Sequence, residues 1–269
     1  MRTHIRTTMK AFKGDVKKWD VVNEAFNEDG TLRDTIFLRV LGPGYIDEAF
    51  SYAHKVDPSV KLFYNDYNIE GINAKSNAVY AMVKRMQANG VPIDGVGLQS
   101  HFGTQYGYSG DILANMQRFS DRKLQVAVTE ADVRMIMPAD NVKIAAQAAA
   151  YEALMSSCLL VKRCTSFTTW GVSDKYSWIP GVWSDQGYAP AVDRHVRDQA
   201  RVRDPASHPG PGGHEAALST VRVASAGGLA EHPRALRLPV GWCRHAEPSH
   251  RPHPAPLGQD LAPGSGGGR

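Results

Sequence analysis

Two glutamates in this sequence could do chemistry, because each stands at the end of an otherwise apolar, strand-like run. Glu24 follows VKKWDVVN (16–23), and Glu130 follows LQVAVT (124–129). Two carboxyl groups about 5–5.5 Å apart can cleave a glycosidic bond with retention of configuration. One group must then carry a proton for the leaving oxygen, while the other must be ionised to attack the anomeric carbon. A single glutamate at a strand end is more often a solvated loop residue, so the hypothesis depends on a fold that brings both together.

The elements that must position these glutamates alternate between strand-like and helix-like segments over residues 1–189. We predict five strands, at 16–22, 61–68, 95–102, 124–133 and 164–172. We predict helices at 45–56, 74–88, 110–119 and 142–160. Such an alternation with apolar strands indicates a parallel sheet covered by helices, which could be open or closed into a barrel.

Polar or aromatic residues stand at the carboxyl end of all five predicted strands. They are Asn23, Glu24, Asn65, Asp66, Gln99, His101, Glu130 and Trp170. This layout is typical of the active face of a TIM barrel. A nucleotide-binding fold would instead concentrate its signal in one glycine-rich turn after a strand, and this sequence has none. We therefore predict an α/β fold, a (β/α)8 TIM barrel.

Five segments carry the polar residues in a distinctive order. They are WDVVNEAFNEDG (19–30), LFYNDYNIE (62–70), IDGVGLQSHF (93–102), VTEADV (128–133) and TTWGVSDKYSWIPG (168–181). Together they resemble glycoside hydrolase family 10, the endo-β-1,4-xylanases, over residues 1–189. The first is similar to that family's acid/base motif and the fourth to its nucleophile strand, which more often reads TELD.

The resemblance implies a role for each polar residue at the strand ends. Glu24 would be the general acid/base and Glu130 the nucleophile of a retaining endo-1,4-β-xylanase. The substrate-binding residues would be Asn23, Tyr67, Asn68, Gln99, His101, Trp170 and Trp178. Asn23 would bind the 2-hydroxyl of the sugar, whereas Tyr67 and Asn68 would meet the sugar on the leaving-group side. The mechanism needs no metal and no organic cofactor, and we expect none.

Other residues receive structural interpretations. Asp66 and Asp132 are expected to bond neighbouring loops, and Asn27 to Asp29 to form a solvated loop with N-caps for the next helix. Some members of the family have a disulfide at the position of Cys158 and Cys164, but two free thiols are equally compatible with the sequence.

The resemblance also implies that the barrel is incomplete. A TIM barrel has eight strand–helix units in about 250 residues, whereas residues 1–189 supply five units, about strands 4–8 of the family. A barrel without three adjacent strands has two open edges. We therefore expect residues 1–189 to be a partial catalytic barrel and the activity of this chain to be impaired.

Residues 190–269 differ sharply in composition from the rest of the chain. They contain no Phe, Tyr, Met, Ile, Asn or Lys, but hold 11 of the 16 Pro and 7 of the 10 His. The absent types are those encoded by AT-rich codons, so we favour an out-of-frame reading that begins near Ala189; a disordered linker is the alternative. Either interpretation predicts a tail without a packed core, and its histidines are not read as a metal site.

Composition excludes several classes of protein. A net charge of +4 does not indicate binding to nucleic acid. The sequence also has no run of 18 apolar residues, which is the length needed to span a membrane. The start, MRTHIRTTMK, lacks the apolar segment of a signal peptide, although the family is extracellular. We expect xylan or another β-1,4-linked polysaccharide as the partner and a monomer if the chain folds. The alternatives are a catalytically inactive fragment and a related β-1,4-glucanase.

Overall fold

The computed structural model describes residues 1–190. Their seven strands are β1 (Lys18–Asn23), β2 (Lys61–Asp66), β3 (Gly95–Leu98), β4 (His101–Gly103), β5 (Gln125–Ile136), β6 (Cys164–Thr169) and β7 (Gln186–Gly187). Their seven helices are α1 (Arg2–Ala11), α2 (Ile36–Leu41), α3 (Tyr45–Val56), α4 (Ala74–Ala88), α5 (Ile112–Asp121), α6 (Asn141–Leu160) and α7 (Ile179–Val182). Apart from residue 190, the predicted tail lies outside the described residues.

The sheet is parallel and follows the order of the chain. β1 pairs with β2, β2 with β3, β3 with β5, and β5 with β6, all in parallel. β4 also pairs in parallel with β5, so β3 and β4 are two halves of one barrel strand. β7 pairs in antiparallel fashion with the end of β5 and lies outside this parallel series. The five predicted strands therefore form the wall of an incomplete (β/α)8 barrel.

The outer strands of this wall each have one paired neighbour within residues 1–190, which is β2 for β1 and β5 for β6. Their inner side chains nevertheless meet, because Lys18 Nζ donates to Thr165 Oγ1 over 3.0 Å. In a TIM barrel, the side chains of alternate strands share an interior layer. The wall is thus curved as in a barrel rather than spread as an open sheet.

Helices α3 and α4 have the bounds that the sequence predicts, because their apolar residues recur at helical spacing and their ends are marked. The inner face of α3 buries Tyr45, Ile46, Ala49, Phe50 and Ala53. At the start of α4, Asn73 and Ser76 form a reciprocal capping box that satisfies free backbone N–H groups. α3 packs against β1 and β2, and the buried residues of α4 belong to the same apolar core.

Two local predictions are corrected by the structure. The strand predicted at 95–102 is interrupted, since Ser100 has a φ of 64° and its N–H donates to the buried carboxylate of Glu70 rather than to a neighbouring strand. The residues 27–29 form the tip of a hairpin, closed by pairing of Phe26 with Leu32, and Thr35 rather than any of them caps the next helix, α2.

Cys158 and Cys164 form a disulfide with an S–S distance of 1.94 Å. It joins the end of α6 to the start of β6 and thereby resolves the alternative that the sequence leaves open. In residues 1–190, no helix combines the length and the apolar character that crossing a membrane requires.

The barrel interior gives a first prediction. A Cβ added at Gly95 would lie 2.3 Å from Cε1 of the buried Phe63 ring. We expect Gly95→Ala to lower the free energy of unfolding by about 1–3 kcal/mol in urea denaturation, because the ring must move in a packed interior. Gly110→Ala is the matched control, since nothing lies within 4 Å of its added Cβ. Equal effects of the two substitutions would contradict this account of the interior.

Candidate functional site

Glu24 stands immediately after β1 in a left-handed conformation. Its φ is 54°, a value that a residue with a side chain adopts uncommonly. Its N–H donates to the carbonyl oxygen of Asn65 over 2.9 Å, which extends the pairing of β1 with β2 by one residue. The backbone thus turns out of the strand at Glu24 while remaining attached to the barrel wall.

Two side-chain amides join Glu24 and Glu130 into one hydrogen-bond network. The amide nitrogen of Gln99 donates to Glu24 Oε1 over 3.2 Å and to Asn23 Oδ1 over 3.1 Å. The amide nitrogen of Asn65 donates to the same Asn23 oxygen over 3.0 Å and to Glu130 Oε1 over 2.7 Å. Residues at the carboxyl ends of β1, β2 and β3 therefore meet Glu130 through direct contacts. Glu130 itself lies in the middle of β5, because this strand continues to Ile136 rather than ending at the glutamate.

Asn65 is a central member of this network. The sequence predicts it at a strand end, but the predicted site residues do not include it. Thr129 Oγ1 donates to Asn65 Oδ1 over 2.7 Å, which orients the amide so that its nitrogen faces Glu130 and Asn23. Gly97 leaves room for it, because a Cβ there would lie 2.3 Å from Asn65 Oδ1. The only sequence feature that accompanies Asn65 is a glycine on the neighbouring strand, and a glycine in a strand does not by itself identify a site residue.

His101 lies between two carboxylates. Its Nε2 is 3.4 Å from Glu130 Oε2, and its Nδ1 is 3.0 Å from Oδ1 of the buried Asp132. Burial alone would lower the pKa of His101, but the adjacent carboxylates of Asp132 and Glu130 outweigh burial and raise this pKa to about 9. The imidazole is therefore a cation at neutral pH, adjacent to the carboxylate of Glu130.

Two tryptophans flank His101. Trp178 donates its indole N–H to Asp132 Oδ2 over 2.8 Å, and its ring centroid lies 5.1 Å from that of His101. The ring of Trp170 lies 6.3 Å from His101, and 46% of the residue is exposed. Exposed indole rings beside a polar cluster can stack on the apolar face of a ring-shaped ligand.

Arg33 also belongs to the site, although the sequence motifs do not identify it. Its Nη1 donates to Glu24 Oε2 over 3.0 Å, and its Nη2 donates to the hydroxyl oxygen of Tyr67 over 2.6 Å. Arg33 follows the hairpin that begins after Glu24, and an arginine in a loop after a strand carries no recognisable signal of its own. Its role depends on how the hairpin folds back.

Tyr67 and Asn68 follow β2 and are placed differently. The ring of Tyr67 covers the buried ammonium of Lys75, whose Nζ lies 3.4 Å from the ring centroid and 2.9 Å from Asp66 Oδ1. Asn68 is exposed, and its amide donates to Glu28 Oε2 over 3.2 Å. Of the nine predicted site residues, seven are joined by contacts around Glu24, Glu130 and His101; Tyr67 is reached through Arg33, and Asn68 contacts Glu28 instead.

No group of three or more His, Cys, Asp or Glu side chains is arranged to hold a metal ion within residues 1–190. The site offers the carboxyl groups of Glu24, Glu130 and Asp132, a histidine cation, the guanidinium of Arg33 and two amide donors.

Known proteins are similar to this chain over about 70% of its length. Residues 1–202 match the model of glycosyl hydrolase family 10. Endo-1,4-beta-xylanase A of Fusarium oxysporum f. sp. lycopersici is 44% identical over 197 residues, which cover 70% of this chain and 60% of that protein. Endo-1,4-beta-xylanase 2 of Aureobasidium pullulans is 45% identical over 205 residues, which cover 72% of this chain and 57% of that protein.

The fold has similar solved structures. The crystal structure of xylanase 10B from Thermotoga petrophila RKU-1, in complex with xylobiose, matches with a TM-score of 0.69 at 40% identity, over 72% of this chain and 60% of that one. Across these three proteins, the chain spans 57–60% of the relative's length.

The pKa of His101 predicts how stability depends on pH. A pKa of about 9 in the folded protein, against about 6.5 in the unfolded chain, stabilises the fold fully below about pH 6.5 and loses this contribution as the pH rises through about 9. Urea unfolding should therefore give a smaller free energy near pH 9.5 than near pH 6.

In His101→Gln this component of the pH dependence should disappear. His54→Gln, at an exposed histidine of α3, is the matched control and should retain it. A His101 imidazole that titrates near its ordinary pKa of about 6.5 in an NMR experiment would contradict the predicted ion pairs.

Proposed function

This chain belongs to glycosyl hydrolase family 10, and we propose that it carries the catalytic groups of a retaining endo-1,4-β-xylanase. The observation that supports this most directly is the amide network from Glu24 through Gln99, Asn23 and Asn65 to Glu130. It holds two carboxyl groups at one end of the barrel wall, where TIM-barrel enzymes have their active sites.

In the proposed first step, the Glu130 carboxylate attacks the anomeric carbon of a xylose unit. The bond from this carbon to the leaving oxygen breaks as Glu24 gives its proton to that oxygen, which leaves a glycosyl ester on Glu130. In the second step, the Glu24 carboxylate takes a proton from water, and the resulting hydroxide equivalent attacks the same carbon and releases Glu130. Two inversions at one carbon retain its configuration.

The contacts of the two groups are compatible with these roles. Glu130 receives the Asn65 amide on one oxygen and faces His101 with the other, so both oxygens of the attacking group are held in place. Glu24 has about a third of its side chain exposed, so that a leaving oxygen and then water can reach it.

The same proposal assigns the sugar contacts. Asn23 would bind the 2-hydroxyl, where a hydrogen bond strengthens toward the transition state, with Gln99 beside it. Trp170 and Trp178 would stack on the sugar at the cleavage point. Tyr67 and Asn68 would contact the sugar on the leaving-group side.

The substrate class that we propose is xylan, and the names of the relatives support it. A β-1,4-glucan is the second candidate substrate, and an inactive polypeptide is the alternative for a chain that spans 57–60% of the compared relatives. We propose that the enzyme acts outside the cell, since the Cys158–Cys164 disulfide persists in an oxidising compartment.

Covalent trapping tests the proposal. A 2-deoxy-2-fluoro-β-xylobioside with a dinitrophenolate leaving group should label the peptide that contains Glu130, because the fluorine slows release of the ester more than its formation with so good a leaving group. Glu24→Gln should still become labelled, since this leaving group needs no proton, but should lose about 100-fold or more of its xylan hydrolysis. Glu130→Gln should lose both.

Glu152→Gln, at an exposed glutamate of α6, is the matched control and should behave as the unsubstituted chain. Label on another residue would contradict the assignment of Glu130. Hydrolysis of carboxymethyl cellulose in preference to xylan would favour the glucanase, and neither labelling nor hydrolysis of any substrate would favour the inactive polypeptide.

A further inference from the structure

Arg33 connects the proposed acid/base to the tyrosine on the leaving-group side. We propose that Arg33 is a positioning residue that sets the orientation of Glu24 and Tyr67 for a sugar leaving group, an inference that rests on the proposed function. Its two terminal nitrogens donate to different residues, one to Glu24 Oε2 over 3.0 Å and the other to the Tyr67 hydroxyl over 2.6 Å. No other residue among those described has hydrogen bonds to both side chains.

The backbone holds Arg33 in place through the hairpin between β1 and α2. The N–H of Arg33 donates to the carbonyl of Ala25 over 2.8 Å, and Phe26 pairs with Leu32 one step further along. At the tip, Gly30 has a φ of 83°, and a Cβ there would lie 2.9 Å from the carbonyl oxygen of Ala74 at the start of α4. The hairpin is thus packed against the barrel helices, and its return brings Arg33 back to Glu24.

Arg33 complements the other donor on Glu24. Gln99 binds Oε1 and belongs to the network that leads to Glu130, whereas Arg33 binds Oε2 from the side of Tyr67. With a donor on each oxygen, the plane of the carboxyl group is fixed. Without Arg33, the group would be held at one oxygen and could rotate away from the leaving oxygen.

The chemistry of the guanidinium also determines how Tyr67 can act. A guanidinium donates hydrogen bonds and accepts none, so the Tyr67 oxygen must be the acceptor from Arg33. Its own proton is then available to a hydroxyl oxygen of the leaving sugar. Burial alone would lower the pKa of Arg33, but the nearby Tyr67, Glu24 and Asp66 outweigh it and raise this pKa above its usual value, so the guanidinium stays charged.

This arrangement predicts a dependence on the leaving group. A sugar is a poor leaving group that needs both the proton from Glu24 and the contact with Tyr67, whereas a dinitrophenolate needs neither. Small displacements of a catalytic group can cost about 100-fold in rate. The loss on removal of Arg33 should therefore be large for an oligosaccharide and small for the activated aryl glycoside.

The experiment compares kcat/KM of the 269-residue chain for xylotetraose and for 2,4-dinitrophenyl β-xylobioside. This ratio reports the steps up to the first irreversible cleavage, so the later use of Glu24 as a base does not enter. For Arg33→Met we expect a loss of about 100-fold on xylotetraose and less than about threefold on the aryl glycoside. Arg33→Lys can reach only one partner at a time and should show an intermediate loss on xylotetraose.

Arg39→Met is the matched control, because Arg39 forms an exposed ion pair with Asp34 in the same region and is outside the network. It should leave both kcat/KM values unchanged. Tyr67→Phe should lose activity on xylotetraose, and the double variant Arg33→Met/Tyr67→Phe should lose less than the product of the two single losses, since the two side chains act together.

Equal losses of Arg33→Met on the two substrates, or no loss on xylotetraose, would overturn the proposal. If thermal unfolding shows that Arg33→Met is destabilised, an equal loss of Arg33→Lys on the two substrates overturns it instead. If the unsubstituted chain hydrolyses neither substrate, the proposed function itself fails, and the inference about Arg33 fails with it.

Discussion

The register of the parallel strands is the constraint on which the site depends. Asn23 on β1 is the register partner of Asn65 on β2, which is the partner of Gly97 on β3, which in turn is the partner of Ala127 on β5. Because successive side chains of a strand point to opposite faces, a slip of one residue would turn Asn65 away from Asn23 and Glu130. The next two register partners, Gly97 and Ala127, are small, so the side-chain amide of Asn65 has space to reach Glu130 on β5. The geometry of the site is therefore a consequence of strand pairing.

The site also concentrates charges that must be paired when they are removed from water. Lys75 and Asp66 are fully buried and form an ion pair at 2.9 Å, and His101 lies between Glu130 and Asp132. Breaking a buried pair leaves an uncompensated charge, at a cost of about 3–5 kcal/mol. Lys75 on α4 thus pairs with Asp66 on β2, and His101 on β4 pairs with Glu130 and Asp132 on β5. This coupling joins the orientation of the side chains in the site to the integrity of the barrel wall.

The elements with regular periodicity could be predicted from the sequence, whereas features that depend on distant contacts could not. The apolar residues of α3 and α4 recur at helical spacing between clear end signals, so their bounds follow from local rules. The break at Ser100 depends on the carboxylate of Glu70, thirty residues earlier in the chain. Arg33 contacts Glu24 only because the hairpin folds back towards it, and the sequence does not show this fold. For Cys158 and Cys164 the sequence leaves a disulfide and two free thiols open, and the structure joins them in a disulfide.

The loop after β6 is also positioned by its pairing with β5. Trp178 reaches Asp132 only because the loop returns along β5, where β7 pairs with Met135 and Ile136. Arg134 on β5 secures this return, since it donates to Gln186 over 2.9 Å and lies 4.2 Å from the ring of Trp183. A long strand thus carries Glu130 and Asp132 in its middle and anchors, near its end, the loop that covers them. Because one strand carries the carboxylates and also binds both ends of the loop, the position of the tryptophan is set by β5 even though the loop itself has little regular structure.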